Sequence, residues 1–193
     1  MSAPAEPAQL TARTVLEIAD HEGVVLEAYL DSVGVWTWGV GVTDASGHKV
    51  GRYVDQPATL EHVLRVFEWL LRTRYLPAVL TAFAGHDLTE AQTAAALSFH
   101  YNTGAIGSAE WVRLWKAGKV DQARVAIMNW SQPRELIGRR KCERDLFFDG
   151  RWSSDGIVGV FQVQKPGYRP IRPKPTDLRL AITRAIDDGT RAA

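Results

Sequence analysis

The sequence predicts an α+β fold that is mostly helical and carries one small β-sheet near its start. Apolar residues recur at helical spacing over most of the chain, as in the stripe from Leu60 to Leu71. Apolar and polar residues alternate only between about residues 26 and 55, a pattern typical of half-buried strands. With 193 residues, 46% of them hydrophobic, the chain is long enough to bury one ordinary core.

Capping residues and helix breakers predict where the helices begin and end. A first helix runs from about Leu10 to Glu22, because Gly23 is a natural C-terminal stop. The capping-box pattern of residues 89–92 opens an Ala-rich, buried helix that reaches about Tyr101. The other helices are expected behind a Thr59 cap, on either side of Pro77, and around residues 108–117, 120–129 and 133–148.

The predicted strands lie in a segment rich in tryptophan and glycine. Read as one strand, this segment has an apolar face and a face of small or polar residues; the first carries Trp36, Trp38, Val40 and Val42, the second Thr37, Gly39 and Gly41. The turn signal at residues 44–47 then predicts a return strand over residues 48–50, paired antiparallel.

Charge and proline content divide the chain near residue 155. From Gly156 onward, seven Lys or Arg stand against three Asp, a net charge of +4, whereas the preceding residues carry −3. We expect a main domain over residues 1–155, loose over 1–9, and a basic, Pro-containing C-terminal extension over 156–193 that ends in a short amphipathic pattern. A basic extension favours anionic surfaces such as nucleic acid or the bacterial cell wall; a merely solvated tail explains it equally well.

The cysteine content and the N-terminal segment bear on localisation. The single cysteine, Cys142, excludes an internal disulfide and fits a reducing cytoplasm. The sequence starts without the basic and apolar segments of a signal peptide, and no apolar run has the length of a membrane-spanning helix. We therefore expect a protein that stays in the cytoplasm until another agent releases it.

Two carboxylates and a hydroxyl form the candidate catalytic group. Glu22 ends a predicted helix, where the negative end of the helix dipole favours a protonated carboxyl, as a general acid needs. Asp31 lies in a polar loop that suits an ionised carboxylate, and Thr37 shares a strand face with glycines that leave room for a ligand. Two acids in two environments are the arrangement used in glycoside hydrolysis. On spacing alone, a helix-end acid, a turn residue and a strand former explain the three residues better.

The surrounding sequence resembles the phage-type lysozymes, glycoside hydrolase family 24. Their signature places a Glu, eight residues, an Asp, five residues and a Thr in order, as Glu22, Asp31 and Thr37 do here. Residues 99–104 resemble the family's aromatic-Asn-x-Gly segment, and residues 138–146 resemble its helix with paired arginines, a glutamate and a leucine. The resemblance covers roughly residues 10–152.

This resemblance implies a two-lobed lysozyme-like fold, with a small antiparallel sheet in the N-terminal lobe and a cleft that binds peptidoglycan glycan strands. It makes Glu22 the general acid, Asp31 the residue that orients or activates water, and Thr37 its assistant. The implied enzyme is an inverting muramidase that cleaves the β-1,4 linkage between N-acetylmuramic acid and N-acetylglucosamine, for host lysis by a phage or prophage. We expect a monomer with no cofactor, no metal and no nucleic-acid partner, and an indirectly acting, membrane-permeabilising holin.

Two further residues are candidates for substrate binding. Asn102 is suited to bind a sugar N-acetyl group, but an Asn two residues before a glycine, here Gly104, is also typical of a helix end. Arg139 or Arg140 is suited to hold Glu22 or a substrate acid, and a solvated basic face is the alternative. Because the two arginines are adjacent on one predicted helix, we expect only one of them to point inward.

The chain departs from the family at Val42, where members usually have His. The alternation places Val42 away from Thr37, so we interpret the change as altered packing. Two other functions remain open. A lytic transglycosylase would rely mainly on one acid and form an anhydro sugar, and a non-catalytic wall-binding module would keep the fold without turnover.

Overall fold

The computed structural model describes residues 9–191, and contacts group the chain into two compact units. The helical unit comprises the described residues up to Glu17 together with Leu71–Ser153, and the sheet unit comprises Ile18–Leu70 together with the described residues from Ser154 onward. The predicted α+β class is confirmed. Except for Gln9, the segment predicted to be loose lies outside the described residues.

Helices account for nearly all regular structure of the helical unit. They are α3 (Leu76–Ala82), α4 (Glu90–Thr103), α5 (Glu110–Lys116), α6 (Val120–Ala126) and α7 (Leu136–Asp149), preceded by the first part of α1 (Ala12–Glu22). Thr89 forms the predicted capping box with Gln92, and Pro77 lies in the first turn of α3 after a π-helical segment. The aromatic core centres on Trp111, which is fully buried against Phe99 and Phe147.

The sheet unit contains a five-stranded sheet, whose strands are β1 (Val24–Leu30), β2 (Trp36–Gly39), β3 (Val42–Thr43), β4 (Ile157–Gln164) and β5 (Arg169–Asp177). They lie in the order β3-β2-β1-β4-β5 across the sheet. The helices of this unit are α2 (Leu60–Leu70) and α8 (Arg179–Arg191). Neighbouring strands are antiparallel except β1 and β4, which run parallel. The sheet is therefore mixed and larger than predicted, because the C-terminal extension supplies two strands.

The predicted return strand over residues 48–50 is wrong: residues 44–46 form a short 3₁₀ helix, and residues 48–50 are not a strand. β2 ends at Gly39, the chain reverses through residues 40–41, and β3 follows at once. Gly39 and Gly41 have φ values of 66° and 73°, which glycine adopts without strain and which permit this tight reversal. Val42 pairs with Trp38, whereas Thr37 pairs with Thr43, so Val42 does lie on the face opposite Thr37.

The C-terminal extension folds as a β-hairpin followed by a helix. β5 contains three prolines, which are compatible with a strand because β5 lies at the sheet edge, where one side of the backbone needs no partner. In the predicted amphipathic pattern, Leu178 and Ile182 are fully buried, and α8 packs against α2. None of the described helices combines the length and apolar character needed to cross a bilayer.

Candidate active site

Glu22 is the last residue of α1, as the sequence predicts. Its side chain is half-buried. The chain turns sharply behind it, where Gly23 has a φ of 72° and donates its N–H to the Ala19 carbonyl at 2.8 Å. A Cβ atom on Gly23 would lie 2.6 Å from the Phe161 ring, so only glycine fits this position. Glu22 is thereby fixed between the end of a helix and the start of β1.

Asp31 begins the five-residue loop that joins β1 to β2. The pair formed by Leu30 and Trp36 closes this loop at its base. Within it, Asp31 Oδ1 accepts hydrogen bonds from the N–H groups of Val33 and Val35, at 3.0 and 2.8 Å. The backbone of the loop, which we call the Asp31 loop (residues 31–35), therefore orients the carboxylate through neutral N–H groups.

Thr37 lies on β2, two residues beyond the Asp31 loop, and is only 4% exposed. Its hydroxyl donates to the Val35 carbonyl at 3.2 Å, and the Asp31 N–H donates to the same oxygen at 3.1 Å. The backbone of Val35 thus connects Asp31 to Thr37: its N–H donates to the Asp31 carboxylate, and its carbonyl accepts from the Thr37 hydroxyl.

Tyr29 is a neighbour of these groups that sequence reasoning missed. It pairs with Thr37 across β1 and β2. The pKa of Tyr29 is raised to about 12, mainly by burial and further by the negative charges of Glu22 and Asp31. The charges of both carboxylates therefore influence the pKa of the same phenol. The strand pairing of Tyr29 with Thr37 is the signal from which its position beside the candidate catalytic group could have been predicted.

The two predicted substrate-binding residues lie together in the helical unit. They belong to a group of five residues that we call the Glu143 cluster, comprising Ser98, Asn102, Arg139, Arg140 and Glu143. Arg139 donates to Glu143 at 2.9 Å and to the Ser98 carbonyl at 3.1 Å, while Arg140 donates to both Glu143 and Asn102. The expectation that only one arginine points inward is wrong, because residues three and four positions before Glu143 both reach it.

Burial dominates the electrostatics of the Glu143 cluster. Glu143 is 1% exposed and Arg140 is fully buried. Burial raises the pKa of Glu143, and the two guanidinium groups and the Ser98 hydroxyl oppose that rise. Burial likewise lowers the pKa of Arg140. The substrate-binding roles of Asn102 and Arg139 stay predictions, although both side chains already have partners inside the protein.

The comparison with known families identifies the family of this chain. The sequence model of the phage lysozyme family matches residues 19–143. The chain belongs to the phage lysozyme family. The matched segment contains the signature residues Glu22, Asp31 and Thr37 as well as the Glu143 cluster, and membership makes the protein a lysozyme-type hydrolase.

Solved structures support the lysozyme fold. An endolysin from Escherichia coli O157:H7 phage FAHEc1 is 24% identical with a TM-score of 0.67, covering 76% of this chain and 97% of the endolysin. The muramidase domain of SpmX from Asticaccaulis excentricus is 27% identical with a TM-score of 0.57, covering 73% and 98%. A P22 lysozyme mutant is 25% identical with a TM-score of 0.59, covering 72% and 97%. No curated protein gives a significant sequence match.

Proposed function

We propose that this phage lysozyme hydrolyses the β-1,4 linkage between N-acetylmuramic acid and N-acetylglucosamine in peptidoglycan, with inversion at the anomeric carbon, and serves host lysis by a phage or prophage. On this proposal the protein reaches the cell wall from the host cytoplasm after a holin has opened the membrane, and it works as a monomer without a metal or cofactor. Residues 1–155 carry catalysis and residues 156–193 form the extension.

Glu22 serves as the general acid that protonates the leaving glycosidic oxygen. Its position supports this role, because Glu22 is the last residue of α1, is half-buried, and is held by the sharp turn at Gly23 between that helix and β1.

Asp31 serves as the base that orients the attacking water, and Thr37 assists it. Because Oδ1 is committed to two backbone N–H groups, we assign the water to Oδ2. The Thr37 hydroxyl uses its proton on the Val35 carbonyl, so its lone pairs can accept a hydrogen bond from that water. In an inverting enzyme the two carboxyl groups stand roughly 6.5–9.5 Å apart, which leaves room for the water.

One observation carries the proposal: the segment that the phage lysozyme model matches contains Glu22, Asp31 and Thr37 at the signature spacing. The Val35 carbonyl, which accepts hydrogen bonds from both the Asp31 N–H and the Thr37 hydroxyl, supports a joint role for the second acid and the hydroxyl. The charges of Glu22 and Asp31 both add to the rise in the pKa of half-buried Tyr29, in agreement with two carboxylates that act at one site.

The test compares wild type, Glu22→Gln, Asp31→Asn and Glu61→Gln on purified peptidoglycan. Glu61 is an exposed acid on α2 and provides the matched control. Both site variants should release new reducing ends about 10²–10⁴-fold more slowly, the usual contribution of general acid–base catalysis, while Glu61→Gln keeps wild-type turnover. Thermal unfolding should be unchanged in all variants, which excludes misfolding as the cause.

The products of the same digestion separate the alternatives. Anhydro-muramic ends detected by mass spectrometry would replace hydrolysis with the transglycosylase reaction. Wall binding with no new ends at any pH would make the protein a binding module. Proton NMR of the first-formed anomer tests inversion, and a retained anomer would contradict the water-activating role of Asp31.

A further inference from the structure

The turn between β4 and β5 lies against the end of β1, next to the Asp31 loop. We call residues 165–169 the extension turn. The Leu30 N–H, on the last residue of β1, donates to the Tyr168 carbonyl at 2.8 Å. The extension turn therefore continues the contact that β4 makes with β1 further back, where Val24 pairs with Val160.

Arg169, the last residue of the extension turn, bonds the backbone of the Asp31 loop itself. Its Nη1 donates to the Asp31 carbonyl at 2.8 Å and lies 3.4 Å from the Leu30 carbonyl. A charged donor makes such a bond stronger than one between neutral groups. Arg169 thus holds the peptide group that directly follows the Asp31 side chain.

The other end of the Asp31 loop meets the same turn. The Tyr168 ring packs edge-on against the Trp36 ring, with centroids 5.1 Å apart and planes at 76°. Trp36 is the partner of Leu30 in the pair that closes the loop. The extension turn consequently contacts both strands at the base of the Asp31 loop.

Polar contacts fix the extension turn in place. The Tyr168 hydroxyl donates to the Asp55 carboxylate at 3.0–3.1 Å. Lys165 pairs with the same carboxylate and lies 2.8 Å from Glu27 on β1. The hydrogen bonds from Lys165 and Tyr168, together with the charge of Lys165, lower the pKa of Asp55. Asp55 therefore stays ionised and keeps both contacts at neutral pH.

We propose that Arg169 is a positioning residue for Asp31, and that the extension turn sets the direction of the Asp31 carboxylate during hydrolysis. This inference rests on the proposed function, which gives Asp31 the attacking water. The carboxylate is aimed by the N–H groups of its own loop, and Arg169 holds that loop from outside. Small displacements of a reacting group lower turnover strongly without weakening substrate binding.

The experiment measures kcat and KM on peptidoglycan for Arg169→Ala, Arg169→Lys and Lys174→Ala. Lys174 is an exposed cation on the same strand, so its variant matches the loss of charge. Arg169→Ala should lower kcat about tenfold and leave KM near the wild-type value. Arg169→Lys keeps one charged donor and should recover most of the loss, whereas Lys174→Ala should behave as wild type. If Arg169→Ala does not fold, Arg169→Lys is compared with Lys174→Ala. A kcat below that of Lys174→Ala at unchanged KM supports the positioning role, and an equal kcat overturns it.

Each Arg169 variant is also combined with Asp31→Asn. A residue that acts through Asp31 has no further effect once that carboxylate is gone, so the double variant should match Asp31→Asn alone. An undiminished extra loss in the double variant, a rise in KM with constant kcat, or equal behaviour of Arg169→Ala and Lys174→Ala overturns the positioning role. Wild-type turnover in Asp31→Asn would instead overturn the proposed function, and the positioning role with it.

Discussion

The Glu143 cluster and the Asp31 loop hold their carboxylates in opposite ways. Glu143 is 1% exposed and meets two guanidinium groups and a hydroxyl, so fixed cations within the fold balance its charge. Asp31 is only half-buried and is held at Oδ1 by neutral backbone N–H groups. The oxygens of Glu143 are thus occupied by groups of the protein itself, whereas Asp31 is oriented by the backbone of its own loop.

Tyr29 shows that this difference has a measurable consequence. The charges of Glu22 and Asp31 contribute to raising its pKa, which means that their field extends to neighbouring groups. Burial is the main influence on the pKa values in both regions, but in the Glu143 cluster the charges of Glu143 and the two arginines act on one another. The difference between the two regions leads to three predictions.

The largest effect is expected from Glu143→Gln. The substitution leaves Arg139 and Arg140 buried without their anionic partner, so the free energy of unfolding should fall by about 3–5 kcal/mol. Urea denaturation measures this, with Glu110→Gln as control because Glu110 forms an exposed pair with Arg113 that contributes at most about 1 kcal/mol. Full stability combined with a strong loss of turnover would show that the cluster serves catalysis and not the fold.

A smaller effect is expected from Asn102→Ala. Arg140 loses one acceptor, which should cost about 1–3 kcal/mol of unfolding free energy, and KM for peptidoglycan should stay constant. Asn129, an exposed residue of the same unit, provides the control Asn129→Ala with unchanged stability. A several-fold rise in KM at constant stability would instead confirm Asn102 as a substrate-binding residue.

The smallest effect concerns Tyr29. Its pKa is raised from 10.0 to about 12 in the fold, so the unfolded chain loses this proton first, and the free energy of unfolding should fall as pH rises above about 10. Replacing Glu22 and Asp31 by Gln and Asn removes two of the three causes and should make that fall shallower. Denaturant unfolding at several alkaline pH values measures the slope, and Tyr29→Phe gives the baseline. If the slope is the same with and without the two acids, the charges of Glu22 and Asp31 do not affect the pKa of Tyr29.

The local parts of the fold could be predicted from the sequence. The capping box at Thr89, the division at Pro77 and the helix end at Glu22 all depend on residues within one or two turns of each other. The family signature at Glu22, Asp31 and Thr37 is local in the same sense. The segment could therefore be identified without knowledge of what packs against it.

The parts that escaped prediction depend on distant partners. The alternation around Trp38 continues past Gly39, so it conceals the reversal that positive φ angles allow there. Prolines argue against a strand at β5 unless its edge position is known. Arg139 and Arg140 reach Glu143 through their spacing on α7 itself, but the contacts of this group with Ser98 and Asn102 require the packing of α7 against α4.

The parallel pairing of β1 with β4 has a consequence for the order in which the protein is made. Val24 leaves the ribosome well before its partner Val160, because residues 71–153 of the helical unit lie between them in the sequence. A nascent chain that ends before residue 169 lacks both β5 and the guanidinium group that holds the Asp31 loop. Because long-range pairings form late, the sheet closes after the helices of the other unit can already have folded. Translation itself thus delays the positioning of Asp31 until residue 169 has been synthesised.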